Sequence, residues 1–423
     1  MPTYNSPNRA LRSTRQTRIG LSNADLSATA PFDDNPKWKL FITTSRKICA
    51  WDRNGCEPVF TSSSRGIVAA KRALDGTPLC CRHPWISGRF ADVGCRIGIG
   101  DCRCSSSYAS QGRGWSGQIL PIEGNAGERS ARLVYLETAF DCLTLQRCRL
   151  LQYSHDSRNL FYTDSLHNSV QSYSLSDNRV ADAARSHPSP VTAFAISCDS
   201  NLIISASSNP AIVQIHNQLM TTTISLVPSA SSAPVVTCAF HPTRKHIFLL
   251  AFGDGVLAAF DYTKLSSAKT GNKKENAGLG VTRCHARGIH AFRHLHDPSV
   301  AGSAGITGAG FVPGQRSRAV TVGEDGRCFL VDFEKGDTLG SWHIGAPATG
   351  LTLREIDAAA QSKKEELGGY LIAVGTVHGR CLVYDGNGNK VAERVVDTEG
   401  ESILDVEWVC SPDLAPRECL TLT

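Results

Sequence analysis

Apolar and polar residues alternate in short runs along most of the chain, and six segments repeat one arrangement of these runs. Each segment contains an apolar run with a period of two, a short polar turn, a second such run, and a closing pair whose second residue is polar or acidic. Alternation with a period of two is typical of half-buried β-strands. The segments are LFITTSRKICAWDRNG (40–55), LFYTDSLHNSVQSYSLSD (160–177), LIISASSNPAIVQIHNQ (202–218), IFLLAFGDGVLAAFDYTK (247–264), RAVTVGEDGRCFLVDFEKG (318–336) and YLIAVGTVHGRCLVYDGNGN (370–389).

Short turns join the two runs of each segment, and a further strand-like run precedes several of them. Glycine supplies the positive φ angle of three turns, which are GDG (253–255), EDG (324–326) and VHG (377–379). The preceding runs are VTAFAIS (191–197), VVTCAFHP (235–242) and GITGAGFVP (305–313). Each unit is therefore predicted to contain four antiparallel strands. Because successive units lie about 43 residues apart, they are typical of the blades of a β-propeller.

With this repeat the chain resembles the WD-repeat (WD40) β-propeller family, over residues 37–77 and 147–410. The namesake dipeptide is intact at Trp51-Asp52. Related pairs close the other five segments: Tyr173-Ser174, His216-Asn217, Phe260-Asp261, Val331-Asp332 and Tyr384-Asp385. The resemblance implies that these residues occupy structural positions of the repeat.

The resemblance also implies hydrogen-bonded networks in which a histidine between blades contacts a serine and an aspartate. His187 and His296 lie where that histidine is expected, and Asp254 and Asp325 lie in the hairpin turns where the aspartate is expected. No repeat carries the whole set, so we expect the networks to be incomplete.

The two ends of the chain carry complementary parts of one blade. ESILDVEWV (401–409) has the pattern of an inner strand that no hairpin follows, and the hairpin at 40–55 has no inner strand before it. Pairing the two avoids exposed strand edges, which promote aggregation. A further inner-strand pattern, GIVAAKRALDG (66–76), begins one more blade. We therefore predict an all-β, seven-bladed propeller over 37–410, closed by the C-terminal strand, with its second blade disrupted.

The disruption coincides with an anomalous composition over residues 78–148. Cys, Gly, Arg, Ser and Trp dominate this region, and they suit neither a pleated core nor a tight hairpin. Three explanations compete: a zinc module, an inserted loop, and translation of non-coding or out-of-frame nucleotide sequence. The cysteines do not form the two closely spaced pairs of a zinc module. The abrupt return of the repeat at 149–163 favours out-of-frame translation.

Outside the repeats the chain is polar. Residues 1–36 are rich in Ser, Thr, Asn and Pro, with arginines at every third position from Arg9 to Arg18, and we predict a disordered basic tail. Residues 411–423 form a C-terminal tail. The polar, basic and glycine-rich segment 265–288 is predicted to be an exposed loop.

Charge and composition narrow the function classes. A net charge of +5 is too small and too evenly spread to indicate a nucleic-acid-binding protein by itself. The sequence has neither an apolar run of about 18 residues nor a secretory signal, so no membrane association is expected. We expect the 16 cysteines to be reduced thiols in the cytoplasm, the nucleus or both.

One cluster, CHARGIHAFRHLH (284–296), offers ligands for zinc. Its candidates are Cys284, His285, His290, His294 and His296. The segment 289–296 also alternates as the outer strand of a blade, which would place His290 and His294 about 13 Å apart. We therefore expect no metal. The sequence lacks the nucleophile-elbow, zinc-protease, P-loop and Cys-x-x-Cys motifs, which predicts no cofactor and no enzymatic activity.

The predicted function is that of a non-catalytic scaffold for protein–protein interactions. The resemblance implies a monomeric propeller that binds other proteins within a multi-subunit complex. The alternative is a ribonucleoprotein component that binds RNA through the basic tail and the segment 264–296. A steep loss of RNA affinity with added salt would distinguish the alternative from the scaffold.

Overall fold

The computed structural model describes residues 38–61, 150–164, 167–177, 179–267, 281–297, 305–356, 368–396 and 400–410, together with the backbone of four short strands between residues 69 and 136. The first strands that the structure describes belong to blade A: β1 (Trp38–Thr44), β2 (Lys47–Asp52) and β3 (Gly55–Thr61). The four short strands form sheet B: β4 (Ala69–Arg72), β5 (Leu79–Arg82), β6 (Ile119–Leu120) and β7 (Leu133–Leu136). Blade C follows, with β8 (Leu151–Tyr153), β9 (Asn159–Asp164), β10 (Ser169–Ser174) and β11 (Arg179–Asp182).

The middle of the chain forms blades D and E. Blade D contains β12 (Val191–Ile196), β13 (Leu202–Ser208), β14 (Ala211–Asn217) and β15 (Thr222–Pro228). Blade E begins with β16 (Val235–Phe240), β17 (Ile247–Phe252) and β18 (Leu257–Asp261). These strands are followed by helix α1 (Tyr262–Ser267), β19 (Val281–Ala286) and β20 (His290–Phe292).

The C-terminal third forms blades F and G and then completes blade A. Blade F contains β21 (Ile306–Phe311), β22 (Arg318–Gly323), β23 (Arg327–Asp332) and β24 (Asp337–His343). Blade G contains β25 (Ala348–Glu355), β26 (Tyr370–Thr376), β27 (Arg380–Asp385) and β28 (Lys390–Val395). The last described strand is β29 (Ile403–Cys410). Blades A, C, D, E, F and G are the six blades of a β-propeller, and the six predicted hairpins are confirmed.

The core lies between neighbouring blades because each sheet buries both of its faces. Every residue of β17 and of β26 is buried, which explains why their apolar runs are nearly continuous. One cluster joins blades D and E around Phe248 and Phe260, whose stacked rings lie 5.4 Å apart. Similar clusters join blades E and F and blades F and G.

Strand β29 closes the propeller, as predicted. It pairs antiparallel with β1 along its length, from Trp38 opposite Cys410 to Thr44 opposite Ile403. Arg354 of blade G is buried between two indole rings of blade A, with its guanidinium carbon 5.1 Å from the ring of Trp38 and 4.9 Å from that of Trp408. The seam between blades G and A is therefore held by backbone pairing, apolar packing and cation–π contact.

Sheet B differs from the six blades. Its strand order is β4-β5-β7-β6, and β5 pairs with β7 in parallel. Strand β4 lies against β29 on one side and against β8 on the other, so sheet B fills the position between blades A and C. The three explanations for residues 78–148 concern residues that lie, apart from the strand backbones, outside the described part of the chain.

The prediction of an exposed loop over 265–288 is wrong at both ends of that segment. Leu265 of α1 is buried, and β19 adds a fifth strand to blade D by pairing in parallel with β15. Cys284 and Ala286 alternate along β19 and pack into the core between blades D and E. An unpaired edge of β15 exposes backbone donors and acceptors, and this returning segment satisfies them. Residues 268–280 lie outside the described residues.

The predicted outer strand at 289–296 is also shorter than expected. Strand β20 ends at Phe292, and His294 adopts a positive φ of 59°. The chain turns there and carries His296 into a fully buried position against blade F.

Candidate functional site

The polar residue that closes each repeat caps the turn after the third strand of its blade. In all six blades its side chain accepts a backbone N–H from the segment that follows, at 2.7–3.3 Å, and in blade E that segment is the start of α1. These residues are Asp52, Ser174, Asn217, Asp261, Asp332 and Asp385. Such side-chain caps are a common means of fixing turns. Their role in this structure is local and structural.

The residues that precede these caps face the core. Trp51, Tyr173, Phe260, Val331 and Tyr384 are all buried. His216 is half-buried instead, and its Nδ1 lies 3.0 Å from the Thr223 hydroxyl on the neighbouring strand of the same blade.

His296 forms a network in blade F. Its Nε2 lies 2.9 Å from the Thr321 hydroxyl, and its Nδ1 lies 2.9 Å from Asp325 Oδ1. Its ring is nearly perpendicular to that of Phe329, with 4.8 Å between the ring centroids. In this blade the network is complete, with the Thr321 hydroxyl in place of a serine, so the prediction of incomplete networks is wrong here. Asp254 takes a different partner and accepts a hydrogen bond of 2.6 Å from Ser231.

His187 is buried between blades C and D and contacts two hydroxyls. Its Nε2 lies 2.8 Å from Ser205 Oγ, and its Nδ1 lies 3.2 Å from Ser207 Oγ. Burial lowers the pKa of His187 to about 4, because the charged imidazolium loses its solvation there.

The stability of the protein should fall with acidification because of His187. An unfolded histidine has a pKa of about 6.5, so between pH 6.5 and 4 the unfolded state binds more protons and is favoured as the pH falls. From pH 7 to 4.5 this single group should cost about 2–3 kcal/mol of unfolding free energy. Urea denaturation of the wild type and of His187→Gln at both pH values measures it. We expect a weaker pH dependence in His187→Gln and an unchanged one in the exposed control His378→Gln. Parallel pH profiles for the wild type and His187→Gln would contradict the assignment.

Within the part of the chain that the structure describes, a cleft on the outer wall of the propeller is a candidate binding site. It has a volume of about 370 Å³ and lies between β24 of blade F and strands β27 and β28 of blade G. Its lining residues are Trp342, His343, Ile344, Gly345, Arg380, Leu382, Tyr384, Gly388 and Lys390.

Trp342 forms the aromatic wall of this F–G cleft. Its ring lies 5.9 Å from that of Tyr384 and is inclined to it by 46°. Gly388 adopts a φ of +86°, and a Cβ there would lie 2.8 Å from the indole ring, so only glycine allows this approach. The indole Nε1 is buried, and it has no hydrogen-bond acceptor among the residues that the structure describes.

Two cations lie at the rim of the cleft, and one carboxylate orients both. Arg380 Nε donates to Glu393 Oε1 at 2.7 Å, and Lys390 Nζ donates to Glu393 Oε2 at 2.8 Å. Burial alone would raise the pKa of Glu393, but the hydrogen bonds from Lys390 and Arg380 outweigh it and hold this pKa below its ordinary value. The rim keeps a net positive charge beside an apolar and aromatic wall.

No model of a known protein family and no curated protein sequence matches this chain. The described ranges contain no group of three or more side chains placed to hold a metal ion. The zinc candidates of the segment 284–296 are distributed over different elements, with Cys284 in β19, His290 in β20 and His296 in the network of blade F. Within the same ranges, no helix is long and apolar enough to cross a membrane.

Sequence reasoning identified Tyr384 but missed the cleft. Trp342 lies in β24, a strand with the polar sequence DTLGSWH, and its half-buried side chain packs against the core between blades F and G. An aromatic residue on a mainly exposed outer strand is the feature of the sequence that could have indicated a binding surface here. Trp342 lies beside the cations of the next blade only because the two blades pack against each other.

Proposed function

We propose that this chain is a non-catalytic scaffold of the WD-repeat type, which binds other proteins within a cytoplasmic or nuclear assembly. On this view sheet B is the seventh blade, because β4 lies against both β29 and β8. Fixed turns and buried networks in successive blades support a rigid platform. Such a platform can present a binding surface without losing much conformational entropy on association.

The F–G cleft is the proposed docking site, and the observation that carries this proposal is its combination of an aromatic wall with a basic rim. Aromatic and arginine side chains supply much of the energy at protein interfaces. Arg380 and Lys390 favour a carboxylate, and Trp342 favours an apolar or aromatic side chain beside it. The partner is therefore a peptide segment that carries an apolar residue next to an acidic one.

Substitutions in the cleft should weaken partner binding. Proteins captured from native extract by the full-length chain would be identified, and their affinities measured by calorimetry with purified components. Trp342→Ala should weaken a partner that uses the cleft about 30-fold, the effect of losing a central contact of 2 kcal/mol. Lys390→Glu reverses one rim charge and should also weaken it.

Leu339→Ala is the matched control, because Leu339 lies on the same strand β24 but is exposed outside the cleft. It should leave the affinity unchanged. If Trp342→Ala and Lys390→Glu are both folded and both bind as the wild type does, the cleft is not the docking site. If instead the chain binds RNA with an affinity that falls steeply with added salt, the ribonucleoprotein alternative replaces the scaffold.

A further inference from the structure

Two cysteines are diagonal neighbours on paired strands of blade A, at the seam where the propeller closes. Cys56 lies opposite Trp51 on the paired strands β3 and β2, and Cys49 precedes Trp51 by two residues. Since side chains alternate along a strand, all three lie on one face of blade A. Cys49 is buried, Cys56 is half-buried, and their thiols form a hydrogen bond.

A cation from the neighbouring blade completes this cysteine pair. Arg394 is an exposed residue of β28 in blade G, and its guanidinium hydrogen-bonds to the Cys56 sulfur. Among the described residues, the other ionisable groups that interact with Cys56 are Asp52 in the same blade and Cys381, which is buried in blade G. The site therefore combines a half-buried cysteine, a second thiol beside it, and one positive charge from the neighbouring blade.

These contacts favour the thiolate of Cys56 over its thiol. The hydrogen bond from Cys49 is the largest influence; burial opposes it, the positive charge of Arg394 adds to it, and the pKa of Cys56 falls to about 7. At Cys238 burial acts without such contacts and raises the pKa to about 12. About half of Cys56 is thus ionised at neutral pH, and the thiolate is the nucleophilic form.

We propose that Cys49 and Cys56 form a redox-sensitive pair, in which Cys56 reacts with a hydroperoxide and Cys49 then closes an intramolecular disulfide. In the first step the Cys56 thiolate attacks the distal oxygen of the hydroperoxide, the O–O bond breaks, and Cys56 becomes a sulfenic acid while an alkoxide or hydroxide leaves and takes up a proton. In the second step the Cys49 sulfur attacks the Cys56 sulfur, the S–O bond breaks, and water leaves. Two electrons pass from the two thiols to the hydroperoxide.

The position of the pair limits the change that the disulfide requires. The two cysteines are diagonal neighbours on paired strands, with Cys49 opposite Pro58 and Cys56 opposite Trp51, and their thiols contact each other through a hydrogen bond. The disulfide brings the two sulfurs to about 2.05 Å. Both strands belong to blade A, so the bond would link neighbours within one sheet. Oxidation would also move Cys56 away from Arg394, and it would release this contact between blades A and G.

The first test measures the reactivity of the thiolate in the reduced full-length protein. The rate of iodoacetamide alkylation is followed against pH by mass spectrometry of the tryptic peptide NGCEPVFTSSSR (54–65). Cys56 should show a midpoint near pH 7, and at pH 6 it should react about fivefold faster than the half-buried control Cys198 in blade D. Arg394→Gln should shift the midpoint upward and slow the reaction at pH 6. A midpoint above pH 8 in the wild type would overturn the proposal.

The second test follows the two oxidation steps with hydrogen peroxide as the probe. Treated wild-type protein should yield the peptide ICAWDR (48–53) joined to the peptide 54–65 by a disulfide. In Cys49→Ser the sulfenic acid at Cys56 should persist and be captured by dimedone, and in Cys56→Ser Cys49 should stay reduced. Cys56 linked mainly to another cysteine, or equal dimedone labelling of Cys56 and Cys198 in Cys49→Ser, would contradict the pairing.

Discussion

A chain that ends at residue 400 is expected to accumulate as insoluble protein. Strand β29 pairs with β1 along its length, and its Ile403, Val406 and Trp408 are buried in the cluster that joins blades A and G. Burial of one such side chain contributes about 1.5–3 kcal/mol, so loss of the strand removes about 5–9 kcal/mol from apolar packing alone. That loss is comparable with the whole stability of a typical protein, about 5–15 kcal/mol. The unpaired β1 would also become an exposed edge that promotes aggregation.

The control is a chain that ends at residue 410, which keeps every contact of β29 given above. It should be soluble and should melt at the temperature of the full-length protein, as followed by circular dichroism. Refolding the 1–400 chain with a synthetic 401–410 peptide should recover soluble protein, because the peptide can pair with β1. A soluble 1–400 chain with an unchanged melting temperature would show that closure by β29 does not stabilise the fold.

Closure and the repeated hairpins could be predicted from the sequence because both depend on local patterns. The alternation in β17 and β18 and the turn between them lie within one segment of 15 residues, 247–261. Pairing of β29 with β1 joins the two ends of the chain. It could still be predicted, because one end has an inner strand without a hairpin and the other has a hairpin without an inner strand. The acidic caps, such as Asp385, follow from the same repeat because each hydrogen-bonds within its own turn.

The sequence could not predict features that depend on how neighbouring blades pack. Strand β19 pairs with blade D after an insertion in blade E, and only the free edge of β15 explains this choice. The F–G cleft requires Trp342 of one blade to lie beside the cations of the next. The Arg394–Cys56 contact joins residues at opposite ends of the propeller chain, which only closure brings together. The alternation of apolar and polar residues in β3 or in β28 does not indicate such a contact.

Replacing His296 with alanine should destabilise the protein by about 4 kcal/mol, because it removes a buried ring and two hydrogen bonds at once. His296 is fully buried in the connection between blades E and F, and it contacts Thr321 and Asp325 of blade F. Truncation of His296 removes the partner of the buried Thr321 hydroxyl, and it creates a cavity beside Phe329. The melting temperature should fall by roughly 5–10 °C in differential scanning calorimetry.

Two further variants separate the hydrogen bonds of His296 from the packing of its ring. Thr321→Val removes the hydroxyl but keeps the volume, so it should cost about 1–3 kcal/mol for the unpaired imidazole nitrogen. In the His296→Ala background the same change should cost less, because the hydrogen bond is already lost. His343→Ala removes an exposed histidine of the same blade and should leave the melting temperature unchanged. If His296→Ala and His343→Ala have the same melting temperature, the network does not hold the blade connection in place. The burial of His296 would then contribute only packing that alanine can replace.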